Sequence, residues 1–115
     1  MARAQDRGRQ AEEHATALLQ RSGLVTVARN YRCRGGEIDL VMRDDDCLVF
    51  VEVRLRSHAA FGGALASVTA TKQARLVTAA RHYLASSGWP GPCRFDVVGF
   101  DGHGRAEWVR NVIET

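Results

Sequence analysis

The stretch from Gly35 to Arg56, GGEIDLVMRDDDCLVFVEVRLR, sets two apolar runs, Ile38 to Met42 and Cys47 to Val53, on either side of the acidic tripeptide Asp44-Asp45-Asp46. Short apolar runs around a polar turn predict a β-hairpin. With Asp45-Asp46 as a two-residue turn, the pleat puts Asp39 opposite Glu52 and Glu37 opposite Arg54, all on one face. The other face then carries only Ile38, Leu40, Met42, Val49, Val51 and Val53, and a slip by one residue would mix charge into both faces. Val41 and Phe50 add apolar bulk to the charged face, which predicts central strands covered on both sides. Two carboxylates facing each other across a hairpin, with Cβ atoms about 5 Å apart, repel. A cationic group between them is expected.

Upstream, Gln5 to Ser22 has helical periodicity, with Ala11, Ala15, Leu18, Leu19 and Ser22 on one face and Gly23 as its end. Glu12 falls within about 20° of Leu19 on the helical wheel and can look towards the sheet, whereas Glu13 points away. Both glutamates also suit the first turns of a helix through solvation and the dipole, a plain structural role. Val25 to Tyr31 alternates weakly as a strand and leads into the basic, glycine-containing loop Arg32-Cys33-Arg34-Gly35-Gly36. The glycine pair serves either a ligand's close approach or a tight turn.

Downstream, residues 57 to 69, SHAAFGGALASVT, read as a small-residue loop near the acidic face, and its lone His58 is assigned no role. Thr69 is a plausible N-cap for a helix over Ala70 to Ser86, with Val77, Ala80 and Leu84 as its apolar stripe and Lys72, Arg75 and His82 on another face. The connector Ser86 to Pro92 leads to a strand over Arg94 to Phe100, a turn at Asp101-Gly102-His103-Gly104 and an edge strand over Ala106 to Val112. The order is α-β-β-β-α-β-β.

With 115 residues, 45% hydrophobic and 25% charged, one α/β domain over residues 1–115 is expected, with enough chain for one sizeable core. No apolar run approaches the roughly 20 residues of a membrane span, and the N-terminus has no signal-peptide core, which predicts a cytoplasmic protein without a membrane partner. Cys33, Cys47 and Cys93 are widely spaced, without a CxxC or a histidine at zinc-finger intervals, so no zinc is expected and the thiols read as reduced. A net charge of +3, carried by arginines with Lys72 the lone lysine, leans towards a polyanionic partner.

If Glu12 joins Asp39 and Glu52, three carboxylates converge with Arg54 beside them. That is the make-up of a site for Mg²⁺ or Mn²⁺, which take oxygen ligands from protein, water and substrate phosphate. Such an ion would relieve the acid–acid repulsion and serve phosphodiester hydrolysis. The rival structural reading is a metal-free salt-bridge network in which Arg54, crossing to Glu37, and Arg56 neutralise the acids. It explains the pairing, but not why costly charges occupy central strands.

These residues resemble the PD-(D/E)XK nuclease superfamily, and nearly the whole chain is similar to the YraN-like bacterial proteins, related to archaeal Holliday-junction resolvases. The matching positions are Gly8 with Ala11-Glu12, Asn30-Tyr31-Arg32, Gly35 to Leu40, Phe50 to Arg54, Phe61-Gly62, Val68-Thr69 with Lys72-Gln73, and Cys93 to Val98. The resemblance implies a restriction-endonuclease-like αβββαβ core, with a mixed central sheet flanked by helices, to which the last strand adds an edge. It implies that Glu12, Asp39 and Glu52 are metal ligands, with the Val53 carbonyl a further one, that Asp39, Glu52 and Arg54 are catalytic, and that Lys72 lies near DNA. It also suggests a homodimer. Ile38 stands where the superfamily's motif has proline, and Arg54 stands where it has lysine. Arginine stays protonated and cannot act as a general base, though it can hold a phosphate or the attacking water.

The expectation is a Mg²⁺- or Mn²⁺-dependent endonuclease acting on DNA, branched or otherwise structured, with Arg32, Arg34, Arg54, Arg56, Lys72 and Arg75 contacting phosphates. The alternatives are a non-catalytic nucleic-acid-binding or adaptor module that keeps the fold, and a structural partner of another protein.

Overall fold

Ladder pairing runs through one five-stranded sheet in the order β1 (Val25–Cys33), β2 (Gly36–Asp44), β3 (Cys47–Leu55), β4 (Cys93–Phe100) and β5 (Ala106–Val109). The computed structural model describes residues 4–55 and 63–113. Neighbouring strands are antiparallel except β3 and β4, which run parallel and are joined by a crossover containing α2 (Gly63–Ala66) and α3 (Ala70–Ser87). With α1 (Ala4–Arg21) the order is the expected one plus the short α2, and the mixed sheet is compatible with a restriction-endonuclease-like core. β5 is an edge, as predicted, and ends at Val109 rather than Val112.

Each helix buries an apolar stripe, but that of α3 is turned from the expected Val77, Ala80 and Leu84, of which Ala80 is fully buried, towards Leu76 and Ala79. Ala11, Ala15 and Leu19 of α1 pack on Leu40, Met42, Val49, Val51 and Val98 on one face of the sheet. Leu76, Ala79 and Ala80 of α3 pack on Val41, Leu48, Phe50 and Phe95 on the other. Full burial of side chains such as Leu19 and Phe50 contributes about 1.5–3 kcal/mol each. Thr16 is buried on α1, where its hydroxyl donates to the Glu12 carbonyl at 2.7 Å, and Ser22, expected on the packed face, is exposed. Gly23, with φ of 97°, follows the helix. The Thr69 side chain caps α3 by accepting from the Lys72 N–H, as expected. No helix among the described residues is long and apolar enough to cross a membrane.

The hairpin keeps the register that burial argues for, from Asp44↔Cys47 to Leu40↔Val51, with Asp45 at the turn in a left-handed conformation of φ 55°. Two details differ from the ideal pleat. Ile38 belongs to the α3-side cluster while Leu40 and Met42 belong to the α1 side, so alternation breaks at Asp39. The β2–β3 ladder also extends no further than Leu40↔Val51, and beyond it the Val53 N–H donates to Asp39 Oδ2 at 2.8 Å. Asp39 and Glu52 thus meet where the two strands have ceased to pair. Glu37 does not face Arg54; its carboxylate lies 4.0 Å from Arg75.

Residues 63–66, read as loop, form α2, whose Ala64 N–H is held by Glu107 Oε1 at 2.6 Å. The turn into β5 forms as expected: Asp101 Oδ1 accepts from the His103 and Arg105 N–H groups. A buried polar hub was not anticipated. Asp96 on β4 is fully buried and accepts from Arg94, Trp108 Nε1 and the Asn111 N–H, while Arg94 also reaches Asp44 at 3.0 Å. It ties the C-terminal strand and its sequel to the middle of the sheet.

The two glycines before β2 have separate structural uses. Gly35 turns the chain at φ 87°. Gly36 is buried against α3, and a Cβ there would stand 2.1 Å from the Arg75 carbonyl and 2.9 Å from the Ala79 nitrogen. The close approach at Gly36 is therefore to a helix, not to a ligand. Gly36→Ala should cost about 3 kcal/mol or more in urea unfolding, at or beyond the upper end of overpacking. Gly8→Ala, at a helical site where a Cβ meets nothing within 4 Å, should add about 0.5–1 kcal/mol. Equal stabilities for the two variants would contradict this packing.

Candidate functional site

A pocket of about 490 Å³ opens where three elements converge. α1 brings Gly8 and Glu12 to it, the parting ends of β2 and β3 bring Asp39, Glu52 and Arg54, and the first turns of α3 bring Lys72 and Arg75. Helical spacing turns Glu12 inward to a half-buried position and leaves Glu13 exposed, as the wheel predicts.

Asp39 and Glu52 touch. Their carboxyl groups interact directly, and a proton held between them would relieve the repulsion. Burial, and after it the charge of Asp39, pushes Glu52 up to about 8. Burial also raises Asp39, against the hydrogen bonds from Val53 and Glu52 that favour its charged form. Without a cation the two acids share a proton near neutral pH and act as one titrating unit. Glu12 is raised as well, by burial and then by the nearby Asp39 charge, and is partly relieved by the Asn30 side chain and by Arg29 and Arg32.

Arg54 makes a long ion pair with Glu52. Its Nη1 stands 3.8 Å from Glu52 Oε1, beyond hydrogen-bond length, and its Nε is buried without a hydrogen-bond partner among the described residues. The cation expected to answer the acids is present, but at 3.8 Å it offsets only part of what burial does to Glu52. It leaves a buried N–H donor on a residue that lines the acidic pocket, while Arg56, the other cation of the metal-free network, lies outside the described residues.

A metal requirement can be tested against the donors present. Among the described residues no group of three His, Cys, Asp or Glu side chains is gathered tightly enough to hold an ion. Asp39 and Glu52 form a contacting pair, and Glu12 lines the same pocket without closing a trio. Mg²⁺ is commonly held by one or two carboxylates, with water and substrate phosphate completing its shell, so this pair fits such an ion.

The other basic residues divide. Lys72 is half-buried in the pocket wall near Glu52, and Arg75 lines the same wall. His82, expected on their face of α3, instead hydrogen-bonds the Tyr31 hydroxyl at the helix's far end. Arg32 lines an adjoining cleft, and Arg34 is exposed on the β1–β2 turn and lines neither. Arg56, like His58 and Phe61-Gly62, lies outside the described residues. Two contributors carried no sequence assignment of their own: the Val53 N–H, which anchors Asp39, and Asn30. Asn30 sits in an edge strand at φ 51°, beside Glu12. An asparagine inside a strand-like run was the available signal for the second, because this residue tolerates left-handed backbone.

The family model described as "Uncharacterised protein family UPF0102" matches residues 11–100 of the chain. A UPF0102 protein of Cupriavidus metallidurans is 60% identical over 93% of this chain and 80% of its own length. One of Nitrosomonas europaea is 53% identical over 99% of this chain and 98% of its own. One of a Janthinobacterium species is 51% identical over 93% and 86%. The chain belongs to this family, the YraN-like group its motifs resemble.

The shared proton has a measurable consequence. Glu52's folded value of about 8 lies above its ordinary 4.5, so between these values the folded protein holds a proton that the unfolded chain has released. Metal-free stability should be full below pH 4.5 and fall as pH rises towards about 8. The slope approaches about 1.4 kcal/mol per pH unit. Urea unfolding across this range should show that slope in wild type and a shallower one in Glu52→Gln, where the raised Glu12 and Asp39 still contribute; the same slope in both would overturn the raised Glu52.

Proposed function

We propose that this protein is a metal-dependent endonuclease that hydrolyses phosphodiester bonds in DNA, with branched or otherwise structured DNA as its substrate. The observation that carries the reading is the contacting pair Asp39 and Glu52, buried in one pocket with the unpartnered Nε of Arg54. Mutually neutralised acids beside an unsatisfied guanidinium match the needs of a divalent cation and a phosphate together. When bound, Mg²⁺ or Mn²⁺ supplies Lewis acidity at the phosphate and at the attacking water. Asp39 and Glu52 would hold it, with Glu12 facing them across the pocket.

The chain's own residues have separable roles. The Val53 N–H fixes Asp39 so that one carboxylate oxygen is committed and the other is left for the site. Glu52 gives up the shared proton as the site fills. Arg54 remains protonated, so it holds the phosphate and stabilises charge in the transition state rather than accepting a proton. Lys72 and Arg75 hold the substrate backbone from α3. Water loses one proton to solvent as it adds to phosphorus, the bond to the leaving sugar oxygen breaks, and that oxygen takes a proton from solvent. This work belongs in the cytoplasm.

Arginine in the superfamily's lysine position favours a second reading, a binding or adaptor module that keeps the fold and has lost hydrolysis. One set of samples separates the two. Mn²⁺ or Mg²⁺ at about a hundred times its Kd should stabilise wild type by about 2.7 kcal/mol and leave Asp39→Ala/Glu52→Ala unmoved. Cleavage of a four-way DNA junction should fall at least about 100-fold in that double variant. DNA binding with no cleavage, indifferent to the two alanines, would establish the binding module. No response to either metal or DNA would end both readings.

A further inference from the structure

Beside the acid pocket lies a second polar cleft of about 420 Å³, lined by Gly8, Arg9, Glu12, Asn30 and Arg32, between α1 and the edge strand β1. We propose that this cleft binds the nucleic-acid phosphates next to the one at the acids, so that the backbone runs through the site instead of ending in it. The inference rests on the nuclease reading above and specifies how that site meets its substrate.

Three observations converge on it. The two clefts share Gly8 and Glu12, and Gly8 offers no side chain at the divide, so a chain can pass from one to the other over bare helix backbone. Charge in the second cleft is unbalanced among the described residues: Arg9 and Arg32 line it, Arg29 also acts on Glu12, and Glu12 is the lone acid among them. Among the described residues β1 pairs with β2 alone and has no strand on its outer side, so an edge of backbone N–H groups accompanies those guanidinium groups. Phosphates are commonly positioned by arginine side chains and backbone N–H groups acting together.

Asn30 makes the junction between the clefts. Arg29↔Leu40 and Tyr31↔Ile38 flank it in the ladder, which sets it at the level of Asp39, and its left-handed backbone brings its side chain to Glu12. It joins the wall of the basic cleft to the rim of the acidic one. On the far side of the acids stand Lys72 and Arg75. Cations on both flanks fit a backbone that continues in both directions, and therefore attack at an internal linkage.

Arginines on an edge strand also discourage strand-to-strand association, a role that would need no ligand. Anisotropy titrations of a fluorescein-labelled four-way DNA junction, in Ca²⁺ to prevent cleavage and over a series of KCl concentrations, separate the two. Removing one phosphate-binding cation should lower the slope of log affinity against log salt by about 0.9. Arg9→Ala/Arg32→Ala should therefore flatten the wild-type slope by about 2, additively with Lys72→Ala/Arg75→Ala. Both arginines of the cleft are exposed, so the thermal midpoint should stay at the wild-type value and report that folding is intact. Wild-type binding with an unchanged slope in Arg9→Ala/Arg32→Ala overturns this inference alone. A wild type that neither binds the junction nor responds to Mn²⁺ overturns the nuclease reading, and this one with it.

Discussion

Everything at the pocket depends on one hydrogen bond, from the Val53 N–H to Asp39. An unpaired N–H in a buried strand costs free energy, and a buried carboxylate costs more. Where β2 and β3 stop pairing, each supplies what the other lacks, so the strands can separate without leaving either group unmet. That separation gives Asp39 and Glu52 a pocket rather than a core. It also explains how charged residues persist in the middle of the sheet. Apolar packing by Leu40, Met42, Val49 and Val51 holds the strands together just before they part.

Most of the frame was legible because its signals are local and agree with one another. The apolar runs around Asp45-Asp46 fixed the hairpin register, the wheel separated Glu12 from Glu13, and Thr69 marked the start of α3. What escaped was set by contacts between distant segments. Nothing near Gly36 announces that a helix some forty residues later will press on it. Asp96 looks like a polar interruption in a strand until Arg94, Trp108 and Asn111 are brought around it. The ideal pleat also misplaced Ile38, because a pairing rule cannot foresee where pairing ends.

The candidate site was legible in its members but not in its chemistry. Asp39, Glu52 and Arg54 could be put near one another from period and register alone. That the two acids would meet through a proton, while Arg54 Nε stays unpartnered, depends on side-chain directions that alternation does not fix. Asn30 and Arg9 stayed silent for another reason: their meaning comes from the seam between α1 and β1, two elements that sequence patterning treats separately.

Gly36 has a role wider than packing. Because α3 rests directly on the β2 backbone there, the span between the acids on the sheet and Lys72 and Arg75 on the helix is set by atomic radii. Charge governs how strongly anything is drawn into the pocket and varies with salt and pH, whereas contact distance does not. The pocket therefore behaves like a caliper locked at one setting. Its width is fixed by that contact, whatever the charges on its walls do.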